Sequence, residues 1–182
     1  EVKLTKGNNH IVIAVQSGRA IHFHESQVRT MGRVAAGVRG IYLDHDIDDK
    51  VIGMVCIERE EADLLVVSQK GYGKRSSVSE YRITKRGGKG VKTLNITEKT
   101  GHLVAIKEVT DSDDLMIINK SGITIRMEIK DLRVMGRATQ GVKLIRLNEN
   151  DEISSVEAIT KLMDDIQEED QQEDQTTDQN EE

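Results

Sequence analysis

Three glycines, Gly18, Gly71 and Gly122, stand 53 and 51 residues apart, and each is followed 19 residues later by a glycine that precedes valine: Gly37, Gly90 and Gly141. Arginines occupy the positions four and eight residues before those second glycines in every copy: Arg33 and Arg29, Arg86 and Arg82, Arg137 and Arg133. A period near fifty residues restricts the chain to propeller-like arrays or solenoids, in which one unit cannot bury its apolar face without a neighbour.

Inside one unit the pattern is β. The first opens with Ile11-Val-Ile-Ala-Val15, turns at Ser17-Gly18 and continues as Ala20-Ile-His-Phe-His24, with apolar and polar side chains alternating. The second opens with Leu64-Leu-Val-Val67 and turns at Lys70-Gly71; the third opens with Leu115-Met-Ile-Ile118 and turns at Ser121-Gly122. After the arginine and glycine loop a third strand recurs at equal offsets: Val38, Ile41, Leu43; Val91, Leu94, Ile96; Val142, Ile145, Leu147. A polar turn then leads to a fourth apolar strand, Val51 to Ile57, Leu103 to Val109 or Ile153 to Ile159. Four short antiparallel strands in about fifty residues make a blade, and the absence of proline suits strands that need every backbone donor.

The expected fold is therefore all-β: blades at residues 10–61, 62–112 and 113–160, with residues 1–9 as the end of a preceding blade and 161–182 as a tail. Propellers close with about four to eight blades, so three predict a partial ring and the C-terminal part of a longer array, with an unmatched edge on its first blade.

The net charge of −6 hides two opposite regions. Residues 164–182 carry ten acids and no base, which leaves 22 acids against all 26 Lys and Arg in the rest, a body at +4. The acidic tail has too little apolar surface to offset its ordering entropy and reads as disordered. It is either a solubilising terminus or an intramolecular competitor for the anion that the body binds. No stretch is apolar enough for a membrane helix or signal peptide, and the single cysteine, Cys56, allows no internal disulfide. A soluble intracellular chain is expected, with Cys56 a small buried hydrophobe.

Enzyme motifs fail on inspection. Gly87-Gly-Lys-Gly90 lacks the spacing and the Ser or Thr of a phosphate-cradling P-loop. Asp44-His-Asp-Ile-Asp-Asp49 imitates a calcium loop but has Asp49 at the sixth position and Val55 at the twelfth, so it reads as a turn. His22 and His24 lack companions at metal spacing and read as solvent-facing strand residues, and Tyr81 has no acid, base or metal cluster to activate it. No catalytic residue, metal or cofactor is expected.

Basic loops remain. In the second, Lys74, Arg75, Arg82, Lys85, Arg86, Lys89 and Lys92 face a single acid, Glu80, and glycines Gly87, Gly88 and Gly90 allow sharp turning and close approach. Such density invites repulsion unless an anion is present. The recurring Arg29, Arg33, Arg133 and Arg137 could bind that anion or brace neighbouring blades. With one Phe, three Tyr and no Trp, base stacking is disfavoured, which leaves backbone contact to a duplex and bending rather than base readout.

The Arg-Gly-Gly-Lys-Gly run at 86–90, Gln69-Lys-Gly-Tyr-Gly-Lys-Arg75, the Arg-x-Met-Gly-Arg loops at 29–33 and 133–137 and the acidic tail together resemble the C-terminal domain family of DNA gyrase A. That resemblance implies a β-pinwheel, usually of six blades, that wraps double-stranded DNA on a basic perimeter and supports ATP-dependent negative supercoiling. It implies partners in the remainder of gyrase A and in gyrase B, a type IIA topoisomerase as parent, and a cytoplasmic, nucleoid-associated location. The cleaving tyrosine and the ATPase site of such an enzyme belong elsewhere, and nothing here matches them. The family's signature box, a glutamine followed by Arg-Arg-Gly-Gly-Lys-Gly, sits in the first blade; Thr84 to Gly90 resembles it but begins with threonine and falls in what would be the fifth. DNA-contacting character therefore carries over to Lys85, Arg86 and Lys89 without the full role of the box. The topoisomerase IV C-terminal domain is the rival within this class, and a propeller that docks acidic proteins is the rival outside it.

Overall fold

A computed structural model of the chain describes residues 1–59 and 61–160; the acidic tail lies outside the described residues. Each repeat begins with a hairpin: β1 (His10–Val15) with β2 (Arg19–His24), β4 (Asp63–Ser68) with β5 (Tyr72–Ser77), and β8 (Asp113–Asn119) with β9 (Thr124–Glu128). The three hairpins turn alike, with the amide of Gly18, Gly71 or Gly122 donating to the carbonyl of Val15, Ser68 or Asn119 at 3.0–3.1 Å. The fourth apolar segments form β3 (Val51–Ile57), β7 (Leu103–Val109) and β11 (Ile153–Thr160), each antiparallel to the first strand of its own repeat.

The third segment does something that contiguous blades would not. It shrinks to two residues, β6 (Val91–Lys92) and β10 (Val142–Lys143), and joins the sheet of the preceding repeat. The sheet orders are β3-β1-β2-β6, β10-β5-β4-β7 and β11-β8-β9. Lys92 lies opposite Arg19 and Val91 opposite Ala20, while Val142 lies opposite Gly73 and Lys143 opposite Tyr72. The glycine before each exchanged strand makes the approach possible. A Cβ on Gly90 would sit 2.3 Å from the Ala20 carbonyl oxygen, and one on Gly141 would sit 2.5 Å from that of Gly73. Both have φ values, +66° and +77°, that other residues rarely adopt.

This exchange moves the unmatched edge expected on the first blade. The first sheet is complete with four strands, and the third has three, with β9 lacking an outer partner among the described residues. The corresponding segment of the first repeat, Val38 to Leu43, forms no strand; among the described residues there is no hairpin of a preceding repeat for it to join. Residues 1–9 form no strand either, and Val2 is 94% exposed.

Sheets stack face against face, so the core lies between blades. Val12, Ala14, Ala20 and Val55 of the first sheet meet Leu64, Val66, Tyr81, Leu94 and Leu103. Leu65, Val67 and Val109 face the other way and meet Leu115, Ile117, Ile129 and Ile153. Successive residues of a strand point to opposite faces, so the unbroken apolar run Leu64 to Val67 is what a blade covered on both sides requires. Each fully buried Leu or Ile contributes about 1.5–3 kcal/mol. A third cluster, Ile11, Val15, Ile21, Phe23, Ile41 and Cys56, sits on the outer face of the first sheet.

Two-sided burial also corrects one of the two histidines; His24 stays partly exposed. His22 is not solvent-facing: it is 6% exposed, donates from Nδ1 to the Tyr81 carbonyl at 2.6 Å, and its Nε2 accepts from His10 Nδ1 at 3.0 Å. Burial lowers its pKa. Cys56 is buried as expected, with its thiol pKa pushed up first by desolvation. Asp44 to Asp49 is a turn around a short 3-10 helix at His45–Ile47, and Asp49 accepts from the Ser17 amide at 2.9 Å and hydroxyl at 2.7 Å. No helix among the described residues is long and apolar enough to cross a membrane.

Candidate functional site

The arginine positions separate by structural role. Those four residues before the second glycine brace adjacent blades. Arg86 donates from its guanidinium to the carbonyls of Gln27 at 2.8 Å and Arg39 at 2.9 Å, and its amide donates to the Gln27 side chain at 2.9 Å. Arg137 repeats the pattern one blade on, donating to the carbonyls of Glu80 at 3.1 Å and Lys92 at 2.8 Å, while its amide meets the Glu80 carboxylate at 2.8 Å. Arg33, the first copy, is exposed and has no such partner among the described residues.

Those eight residues before the glycine behave differently. Arg29, Arg82 and Arg133 are exposed, and their side chains make no hydrogen bond or ion pair among the described residues. Lys85 is free in the same sense. Bracing therefore holds at the nearer offset in the second and third copies, while the farther offset keeps its arginines clear of internal partners among the described residues.

Two expected surface cations are not at the surface. Lys74 and Arg75 point from β5, which lies inside a sheet that is covered on both faces. Lys74 is 1% exposed and donates to the Gly136 carbonyl at 2.5 Å and to Ser76 Oγ at 3.3 Å. Arg75, 7% exposed, bonds the Leu132 carbonyl and the Asp111 carboxylate and lies 3.5 Å from Asp63. These two tie the second blade to the loop of the third and are withdrawn from any surface ligand.

Burial pushes Lys74 down from 10.5 to about 8; Glu80 opposes the shift and Arg137 adds to it. Between those values the unfolded chain holds a proton that the folded chain lacks, so this group's contribution to stability rises with pH through that window. Urea unfolding at about pH 7.5 and about pH 9.5 is expected to show a gain on the order of 2 kcal/mol from this group. Lys74→Met should flatten that rise; a rise of equal size in the variant would assign it to other groups.

The loop glycines serve packing. The Gly87 amide donates to the Gly40 carbonyl at 2.5 Å and the Gly88 carbonyl accepts from Tyr42 at 2.9 Å, so the close partner is the Arg39 to Tyr42 segment of the first repeat. Lys89 and Lys92 are exposed beside it. The Lys89 ammonium lies 5.4 Å from the Tyr42 ring centroid, and Lys92 reaches Asn95 Oδ1 at 3.2 Å.

Several exposed cations on these segments escaped the sequence reading: Arg19, Arg39, Lys99, Lys143 and Arg146. A signal existed for two of them, since Arg39, Lys92 and Lys143 each follow the second glycine by two residues. Tyr81 is core: its hydroxyl meets Thr93 Oγ1 at 2.5 Å, and burial raises its pKa.

Comparison with known proteins agrees with this geometry. The family described as DNA gyrase C-terminal domain, beta-propeller, matches residues 9–58, 62–110 and 113–160, one match per repeat. The DNA gyrase A protein of Staphylococcus epidermidis is 44% identical over 161 residues, 88% of this chain and 18% of that protein. Its counterpart from Staphylococcus aureus is 42% identical over 170 residues, 93% of this chain and 19% of the relative. The chain thus spans less than a fifth of the length of either relative. Among solved structures, the C-terminal domain of DNA topoisomerase IV superposes with a TM-score of 0.81 at 25% identity, covering 88% of this chain and 49% of that one. A DNA gyrase A C-terminal domain superposes at 0.78 with 26% identity, covering 85% and 52%. With its three repeats matched in order and its strands arranged in propeller-like blades, the chain belongs to the DNA gyrase C-terminal domain family.

Proposed function

We propose that this chain is a non-catalytic DNA-wrapping module of a gyrase A protein. It bends duplex around its basic rim so that the rest of gyrase A, with gyrase B, can introduce negative supercoils in the bacterial cytoplasm at the expense of ATP. The observation that carries this reading is the set of free arginines, Arg29, Arg82 and Arg133, repeated at one position of successive blades with no internal partner among the described residues. Cations repeated at blade spacing suit a ligand whose charges also repeat, and the phosphate backbone is such a ligand. The topoisomerase IV fold is as close as the gyrase fold, but identities of 42–44% to gyrase A favour gyrase.

The test is the affinity of residues 1–182 for a long and a short duplex of unrelated sequence across a salt series. Wrapping predicts steep weakening with salt, indifference to sequence and a preference for the longer duplex. Salt-insensitive binding, or binding of acidic proteins in preference to duplex, would overturn it in favour of a protein-docking propeller.

A further inference from the structure

Strand exchange creates two grooves on the rim, the first shared with Lys89 and Lys92 of the second basic loop and the second formed by cations outside the loops. At the first junction, Arg19 directly follows the hairpin glycine and lies cross-strand from Lys92. Like charges directly opposite one another in an antiparallel pair are destabilising. Arg19 Nε and one terminal nitrogen donate to the carbonyls of Lys89 and Gly90 at 2.8 and 3.0 Å, which leaves its remaining N–H groups for solvent. Lys89 joins them over the Tyr42 ring, and the groove so formed has a volume of about 300 Å³.

At the next junction the same registers recur, with Tyr72 in the place of Arg19 and Gly73 in that of Ala20. Tyr72 follows the hairpin glycine and lies opposite Lys143. The ammonium groups of Lys143 and Lys99 lie 5.7 and 5.4 Å from the centroid of that one ring, in a groove of about 590 Å³. The negative face of the ring offsets part of the crowding of two cations.

Four acids line these grooves: Asp44 accepts from the Asp46 amide, Asp49 from Ser17, Asp151 from Asn119 and Ser121, and Glu152 from Lys120 and Gln69. Lys89, Lys92, Lys99 and Lys143 form no ion pair among the described residues. In each groove three cations stand against two carboxylates, Arg19, Lys89 and Lys92 against Asp44 and Asp49, and Lys70, Lys99 and Lys143 against Asp151 and Glu152, so positive charge is in excess beside a tyrosine at two consecutive blade junctions.

We propose that these grooves are consecutive seats for backbone phosphates: Arg19, Lys89 and Lys92 with Tyr42 at one, and Lys99 and Lys143 with Tyr72 at the other. The proposal rests on the DNA-wrapping reading and adds to it where the duplex passes between one free arginine loop and the next. Each lysine neutralises phosphate charge, and each tyrosine steadies its lysines and offers a hydroxyl donor to a phosphate oxygen.

The experiment measures duplex affinity across a salt series for the whole chain and for Lys99→Ala with Lys143→Ala. Removing two phosphate-neutralising lysines should flatten the slope of log affinity against log salt by about 1.8 and weaken all sequences alike. The charge-matched control is Lys50→Ala with Lys107→Ala, which removes two lysines already paired to Asp48 and Glu157 and should leave the slope unchanged. Lys99→Gln with Lys143→Gln gives the same readout with side-chain length retained. If wild type binds duplex but the Lys99 and Lys143 variants keep its slope, or the control loses as much, the seats are overturned and the wrapping reading stands. If wild type binds no duplex, both fall together.

Discussion

Replacing Arg29, Arg82 and Arg133 together by alanine is expected to weaken duplex binding about a hundredfold at low salt, for every sequence alike, with little change in stability. That factor follows from about 1 kcal/mol for each of the three phosphate interactions removed. The slope of log affinity against log salt should flatten by about 2.7, because each neutralised phosphate contributes about 0.9. Nothing in the fold depends on these side chains, which make no hydrogen bond or ion pair that holds one blade to another among the described residues.

The contrast is Arg86→Ala with Arg137→Ala. These remove donors from the carbonyls of Gln27, Arg39, Glu80 and Lys92 and should lower the urea midpoint first. An arginine-loop variant that binds with unchanged slope would remove the free arginines from the interface.

Arg75→Met is expected to destabilise the chain by about 3–5 kcal/mol in urea unfolding, the cost of leaving one member of a buried ion pair without its partner. Asp63 is the residue left behind. Its pKa is already raised by burial, opposed by Arg75 and reinforced by Asp111, so losing Arg75 raises it further. The Leu132 carbonyl and Asp111 also lose their donor.

Arg75→Met with Asp63→Leu should recover most of the lost stability, since an apolar pair of similar volume removes the uncompensated charge. If the single variant unfolds like wild type, the contact between the second and third blades does not run through Arg75. The same position explains the local variation among repeats. Four residues after the hairpin glycine stand His22, Arg75 and Arg126, and the second and third repeats satisfy this cation with Asp63 at 3.5 Å and Asp114 at 2.7 Å, whereas the first pairs His22 with His10.

Much of the architecture was readable from local rules. The hairpins at Gly18, Gly71 and Gly122, the apolar first strands and the closing strands β3, β7 and β11 fall where the repeat alignment puts them, because turn chemistry and strand patterning act over a few residues. Exchange of the third strand was not readable. Val91 has the same local sequence preference whether it pairs within its own repeat or with Ala20 of the preceding one; the choice depends on where neighbouring sheets stack.

The site shows the same division. Arg29 and Arg33, Arg82 and Arg86, Arg133 and Arg137 are chemically identical members of a periodic set, and nothing in their spacing says which reach carbonyls of the adjacent blade. Lys74 and Arg75 looked like part of a basic surface because a one-dimensional charge count cannot see that β5 is covered on both faces.

By itself, then, the order of residues determined the repeat, the β-hairpin units and the excess of cations in the body, since each of these arises from neighbours along the chain. Only the tertiary structure decided which strand completes which sheet, which arginines brace and which stay free, and that Tyr42 and Tyr72 gather lysines at the junctions. Those outcomes depend on contacts between residues up to some seventy positions apart, such as Arg19 with Lys89 and Gly90, which form only when one blade is laid against the next.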